Sequence, residues 1–282
     1  MIHLYNQTSF QTSRIITKIY STSFSLGIKA FHKRFREPIY SIYGFVRIAD
    51  EIVDTFHGYD KKYLLDKFKR DTFEAIEMGI STNPILNSFQ KTVREYKIDK
   101  ELIEAFLKSM EMDLTIPSHK RLSYDAYVNG SAEVVGLMCL RVFIQDSPEF
   151  FEELKPYAQK LGSAFQKVNF LRDIKEDIEE RGRIYLPNVH QISGITEFNK
   201  AQFEKEIEEE FHEAATGIMK LPAGVRFGVF LAYIYYQALF KKIKGKSIEE
   251  IKLKRIRVSN FSKFSLFIKS FFQTKFFKGR TV

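Results

Sequence analysis

Two short segments place carboxylates inside otherwise apolar helical text. In Tyr43-Gly-Phe-Val-Arg47-Ile-Ala-Asp50-Glu-Ile-Val-Asp54, the residues Tyr43, Arg47, Asp50 and Asp54 fall at i, i+4, i+7 and i+11, one stripe of a helix. In Gln166-Lys-Val-Asn169-Phe-Leu-Arg172-Asp173-Ile-Lys-Glu-Asp177, the residues Gln166, Asn169, Asp173 and Asp177 form a second stripe. The aspartates of each pair stand one turn apart, about 6 Å of rise. That separation suits oxygen ligands around a small cluster of hard divalent cations. With 11 Asp in 282 residues, chance gives about 0.4 pairs at this spacing, and the chain has two. One pair alone is most often a solvated helix face. Two matched pairs are a different matter, because bare carboxylates at i, i+4 repel and burial raises the cost. Facing each other across a cavity they would need divalent cations, and the cations would need an anionic ligand. Arg47 and Arg172 point to phosphate oxygens, which a guanidinium meets with two hydrogen bonds. The chemistry implied is the departure of a diphosphate assisted by Mg²⁺.

The elements that must carry these stripes are helices. Apolar residues recur at helical spacing over Pro38–Phe56, Lys61–Met78, Ile85–Tyr96, Lys100–Met112 and Glu149–Glu179. Asn199–Met219 reads as a charged amphipathic helix, and Arg226–Lys244 as a central buried one, apolar nearly all round. Breaks fall at Thr82–Pro84, Pro117–Ser123, Asp146–Pro148, Tyr185–Gly194 and Leu221–Gly224. Alternating strand patterns are absent, as are internal repeats and long linkers. The expectation is one all-α domain of about eight to ten helices.

Composition narrows what that domain can be. The net charge of +9 comes entirely from the end of the chain: residues 252–282 hold nine Lys/Arg and no acid, while residues 1–251 are electroneutral. The expected division is a catalytic body, 1–251, and a basic, Phe-rich tail, 252–282. A globally basic nucleic-acid-binding surface is disfavoured. The tail interleaves its bases with Phe261, Phe264, Phe267, Phe271, Phe272, Phe276 and Phe277, a pattern that can lie on an anionic lipid surface. One cysteine, Cys139, excludes a disulfide framework and reads as a small core residue. The start lacks the pattern of a secretory signal, and the longest apolar run, Gly228 to Phe240, is short for a membrane span. The expected location is cytoplasmic, peripheral at the inner face of the membrane. No Gly-x-Gly-x-x-Gly fingerprint supports a nicotinamide site, so no NADPH requirement is expected.

With both stripes in view, the chain resembles the squalene/phytoene synthases, the head-to-head branch of the isoprenoid-synthase fold. The resemblance runs from Tyr20 to about Lys244. It is carried by Ser21-Thr-Ser23-Phe24, the two aspartate segments, Tyr127-Val-Asn-Gly-Ser-Ala-Glu-Val-Val-Gly136 and Arg183-Ile-Tyr185-Leu-Pro187. It is nearest in text to bacterial phytoene synthases in RIADEIVDTF and FQKVNFLRDIKED. It implies a single-domain helical bundle around a central cavity. Asp50, Asp54, Asn169, Asp173 and Asp177 then match positions that hold Mg²⁺ (or Mn²⁺) and the substrate diphosphates. Arg47, Arg172, Ser21 and Gln166 match diphosphate-side positions, and Tyr43, Tyr127 and Tyr185 match tyrosines around the reacting carbons and leaving group.

The activity implied is condensation of two geranylgeranyl diphosphates to 15-cis-phytoene, a carotenoid precursor. The neighbouring alternative is a C30 product from farnesyl diphosphate, and a distant one is a helical membrane-binding adaptor without catalysis. Two departures from the family pattern stand out. Thr22 sits where a basic residue is usual, and Glu133 where a small neutral one is; Glu133 is expected to pair with a base such as Arg141. Gly130, Ser131, Ala132 and Gly136 form a small-residue patch that either makes room for a prenyl chain or allows close helix packing.

Overall fold

The computed structural model describes residues 1–145, 147–259 and 266. Most of the Phe-rich tail segment expected to lie on a membrane, Phe261 to Phe277, and Asp146 of the expected Asp146–Pro148 break are outside the described residues. Twelve α-helices form among the described residues: α1 Ile2–Tyr20, α2 Thr22–Lys29, α3 Lys33–Asp54, α4 Lys61–Met78, α5 Pro84–Tyr96, α6 Lys100–Thr115, α7 Arg121–Val128, α8 Val134–Phe143, α9 Pro148–Glu179, α10 Glu197–Lys220, α11 Ala223–Lys244 and α12 Ile248–Leu253. A five-residue π-helix, Asn129–Glu133, joins α7 to α8. The only strand-like pairing among the described residues is an isolated bridge between Ser118 and Ile184.

Local chemistry sets many of these boundaries. Asp60 caps α4 by accepting from the Tyr63 amide, and Gly79 ends that helix at φ 76°. Asn83 caps α5 with Pro84 in its first turn, and Ser147 caps α9 with Pro148 in the same place. Reciprocal capping pairs open α10 (Thr196 with Asn199) and α12 (Ser247 with Glu250).

The count exceeds the expected eight to ten because five helices, α1, α2, α7, α8 and α12, were not picked out by an apolar period. The clearest is α1. Its buried face is Ser9, Ser13 and Thr17, where Ser13 Oγ meets Ser88 Oγ at 2.7 Å and Asn87 donates to Ser9 and Asn6, both at 3.0 Å. Small polar side chains let α1 approach α3 and α5 closely, and they carry no hydrophobic signal. α3 also begins five residues before Pro38, which is buried inside the helix.

Two apolar clusters make up the core. One gathers α3, α4, α5, α6 and α8 around Phe45, Phe89 and Phe106; Phe45 and Phe89 stack at 3.9 Å between ring centroids. The other gathers α7, α9, α10 and α11 around Tyr124, Phe170 and Phe211. α11 is long and apolar enough to cross a membrane by length and composition alone, longer than the run seen in the sequence. In the fold it is a core helix: Val225, Phe230, Leu231, Tyr233 and Ile243 are buried and it packs on α2, α9 and α10. Between the clusters lies an apolar cavity of about 240 Å³, lined by α2, the π-helix, α8, α9, α10 and α11.

Candidate active site

The two stripes sit on α3 and α9 and face each other. Arg181, just past the end of α9, reaches both: its Nη1 is 2.7 Å from Asp177 and its Nε is 3.4 Å from Asp54. Arg183 follows with Nη1 2.7 Å from Asp54 and a second hydrogen bond to the Val53 carbonyl at 3.2 Å. The turn that returns these arginines is built on Gly182 at φ +65°, and the Arg183 amide closes on the Asp177 carbonyl at 2.8 Å. On the other side of the second stripe, Arg172 grips Asp173 with two bonds, 2.8 and 2.5 Å. Arg255, from the stretch beyond α12, adds a bond of 2.8 Å to Asp173 and one of 3.1 Å to Glu176.

The remaining expected residues join the same region. Tyr43 stacks on Phe24 at 5.1 Å, and burial pushes its hydroxyl up to about 12. Ser21 caps α2 by accepting from the Phe24 amide at 3.2 Å, which brings its hydroxyl beside Tyr43. Arg47 pairs with Glu51 and lies over the Tyr20 ring, 4.3 Å from its centroid. Gln166 donates to Ser131 at 3.3 Å and accepts from Asn169 at 3.3 Å, and Asn169 in turn accepts from Tyr236 at 3.3 Å. Tyr127 and Tyr185 stack at 5.2 Å beneath the aspartates.

Burial sets the state of two stripe carboxyls. Burial, then Asp54, pushes the Asp50 carboxyl up to about 7. Burial also pushes Asp177 up to about 7, against the pull of Arg181 and with the help of Asp173 and Asp54. Asp54, Asp173 and Asp177 have arginine partners, whereas Asp50 makes no hydrogen bond or ion pair among the described residues. Among the described residues no three His, Cys, Asp or Glu side chains converge into a ready metal cage, because arginines stand between the carboxylates. The donor chemistry still fits a hard cation: the ligand set is all oxygen, and Asp50 lacks a partner that a divalent ion would supply.

The cavity opens from this polar end. Phe24, Ser131, Phe165 and Gln166 line it near the stripes, and Phe31, Phe143, Leu154 and Leu221 line it deeper. From Gln166 back to Leu154 along α9 is twelve residues, about 18 Å of helix. Phe31 and Phe143, edge to face at 5.2 Å, stand among the deep residues. The small-residue patch serves both readings. Ala132 and Gly136 line the cavity, while a Cβ on Gly130 would stand 2.6 Å from the Ala105 carbonyl oxygen, so that position is fixed by packing.

One expectation is corrected. Glu133 does not pair with Arg141: it accepts from Asn129 at 3.0 Å and Gln159 at 3.1 Å. Arg141 goes to Asp99 at 2.9 Å and to the Phe151 ring at 3.6 Å. The π-helix turns Glu133 toward α9, where amides satisfy it.

Sequence reasoning missed Asp113, Arg181, Tyr236 and Arg255. Asp113 lies on α6 and is 8% exposed; it accepts from Tyr127 at 2.8 Å and Tyr185 at 2.7 Å. Burial raises its carboxyl to about 6, against Arg183 and the two tyrosines. It is the one aspartate of a helix that also carries Glu101, Glu104 and Glu111, with no paired spacing to flag it, and Arg255 was hidden in a tail read as one basic segment.

Fold and site together define an all-helical protein with two acidic stripes at one end of an apolar cavity. A profile of the family described as squalene/phytoene synthase matches residues 17–197, and the chain belongs to that family. Among curated relatives it is 30% identical over 179 residues to the presqualene diphosphate synthase of Rhodopseudomonas palustris, covering 62% of this chain and 62% of that protein. It is 27% identical over 268 residues to the chloroplastic phytoene synthase 1 of Solanum lycopersicum, covering 86% of this chain and 63% of that protein. The chain thus spans less than two thirds of the length of these relatives. The fold is similar to that of a dehydrosqualene synthase, with a TM-score of 0.82 at 22% identity over 96% of this chain and 98% of that one. It also matches a squalene synthase from Alicyclobacillus acidocaldarius at a TM-score of 0.74, 20% identical, over 86% of this chain and 95% of that one.

Proposed function

We propose that this protein condenses two geranylgeranyl diphosphates head to head, through a cyclopropylcarbinyl diphosphate, to 15-cis-phytoene. The observation that carries the reading is the facing of two aspartate stripes, joined by Arg181, at one end of a long apolar cavity. Asp50, Asp54, Asn169, Asp173 and Asp177 are the residues that would hold Mg²⁺, or Mn²⁺ in its place. Bound there, the metal supplies Lewis-acid stabilisation of charge on the departing diphosphate oxygen.

The chain's own residues account for the rest. Arg172, Arg181 and Arg255 each pair with an aspartate and would turn to phosphate oxygens when the carboxylates are otherwise engaged. Arg47, Ser21 and Gln166 border the same space and complete the diphosphate side. Apolar walls from Phe24 to Leu221 take the prenyl chain and exclude water, which would capture an allylic cation. Tyr43, Tyr127 and Tyr185 border the same site; the Tyr127 and Tyr185 rings are stacked on each other and on Phe170, so what that pair would offer the reaction is their hydroxyl oxygens. The allylic C–O bond breaks with its electron pair leaving on diphosphate, and the C2=C3 pair of the second substrate closes the cyclopropane with loss of a proton. The second diphosphate then departs, the skeleton rearranges, and loss of a further proton gives the central double bond.

A C30 product from farnesyl diphosphate is the second reading. It draws on the identity to presqualene diphosphate synthases, 30% and 32%, against 27% to a plant phytoene synthase. Incubation with each diphosphate and Mg²⁺, without NADPH, followed by hydrocarbon analysis, separates the two. A C40 hydrocarbon whose central double bond completes a conjugated triene is the expected product. A C30 hydrocarbon alone, or squalene formed only when NADPH is added, would reassign the substrate.

A further inference from the structure

Asp113 comes from α6, a helix that carries neither stripe, yet it closes the floor of the site. Its side chain is 4% exposed. It accepts both phenol hydrogens, from Tyr127 at 2.8 Å and Tyr185 at 2.7 Å, and lies 3.6 Å from Arg183 Nη1. The same Nη1 is 3.2 Å from the Tyr185 oxygen and 2.7 Å from Asp54. The rings are wedged: Phe170 stacks on Tyr185 at 4.5 Å, and His119 lies against Tyr127 at 5.1 Å. One guanidinium is therefore shared by two carboxylates, one in the floor and one on the first stripe.

Burying an acid here is costly unless it is fully partnered, and every partner Asp113 has is a group that touches the site. Without its charge, the positive charge of Arg183 would fall on Asp54 alone. Arg183 would then compete with any cation for that carboxylate, and the two tyrosine hydroxyls would lose their common acceptor.

We propose that Asp113 is a positioning residue, which fixes the Tyr127 and Tyr185 hydroxyls and balances Arg183 so that Asp54 stays available to a divalent cation. This rests on reading Asp54 as a cation-side carboxylate. The probe is Mg²⁺ with inorganic diphosphate, read as a rise in melting temperature of the full chain, beside steady-state turnover. Asp113→Asn keeps the shape and removes the charge. Its far-ultraviolet circular dichroism should match the parent, and the Mg²⁺ needed for half of the thermal shift should rise about tenfold, the scale of losing one charged hydrogen bond. Turnover should fall by at least about tenfold, with KM for the prenyl diphosphate changed much less. Adding Arg183→Gln to Asp113→Asn should bring the Mg²⁺ requirement back toward that of the parent, which a merely structural role would not do.

A parent-like Mg²⁺ requirement in Asp113→Asn, or no recovery in the double variant, overturns the proposal. So does the absence of any Mg²⁺–diphosphate shift in the parent. Should the parent bind Mg²⁺ and diphosphate but make no hydrocarbon, the proposed function fails while the comparison of variants still decides the role of Asp113.

Discussion

At the scale of single residues, burial decides which groups are reactive. Cys139 lines the apolar cavity, and burial pushes its thiol up to about 12. At pH 8 it should hold roughly three orders of magnitude less thiolate than a free cysteine, so iodoacetamide should label the native protein slowly and the denatured protein fast. Equal rates would mean the cavity is wet. The stripe residues Asp50, Asp54, Asp173 and Asp177 were legible in the sequence because helical spacing puts them on one face and charge is conspicuous in apolar text. Their partners were not. Asp113 reaches the site across a helix interface, and Arg255 from a segment 78 positions beyond Asp177. Such proximity is a property of tertiary packing, and no local period records it. Glu133 shows the same limit, since its partners were decided by the π-helix rather than by the nearest base in the sequence.

At the scale of elements, the helices with apolar stripes were read to within a few residues, from Lys61–Met78 to Ala223–Lys244. Those missed were short, such as α2 and α7, or buried through small polar side chains, as α1 is through Ser9, Ser13 and Thr17. The turn after α9 matters most for the site. Gly182 holds φ +65° and so aims Arg181 and Arg183 back at the acids. Alanine in that conformation costs about 1 kcal/mol or more, although nothing lies within 4 Å of the added Cβ. Gly182→Ala should therefore lower the melting temperature by a few degrees and reduce turnover by more than that loss of stability explains. Gly182→Asn should recover part of both. Full activity in Gly182→Ala would show that the turn does not aim the arginines.

At the scale of the whole molecule, two apolar clusters leave a cavity between them instead of closing on each other. Its depth should set the length of chain accepted. Phe31 and Phe143 are buried among the deep residues, so Phe143→Leu should raise the rate with geranylgeranyl diphosphate relative to farnesyl diphosphate, at a core-packing cost of about 1 kcal/mol or more. An unchanged ratio would place the end of the substrate elsewhere. Seen whole, the basic surplus that opens as a global +9 splits in two. Arg255 pairs with Asp173 of the second stripe, and the bases of the Phe-rich segment lie outside the described residues. The central claim is that the two aspartate stripes act together on a prenyl diphosphate. Hydrocarbon formation by Asp50→Ala and Asp173→Ala beside the parent, each checked by circular dichroism, tests it most directly. Both variants should keep the helical signal and lose turnover by at least about a thousandfold, the scale of removing a major electrostatic stabiliser of the transition state, and near-parental product from either one would contradict the account.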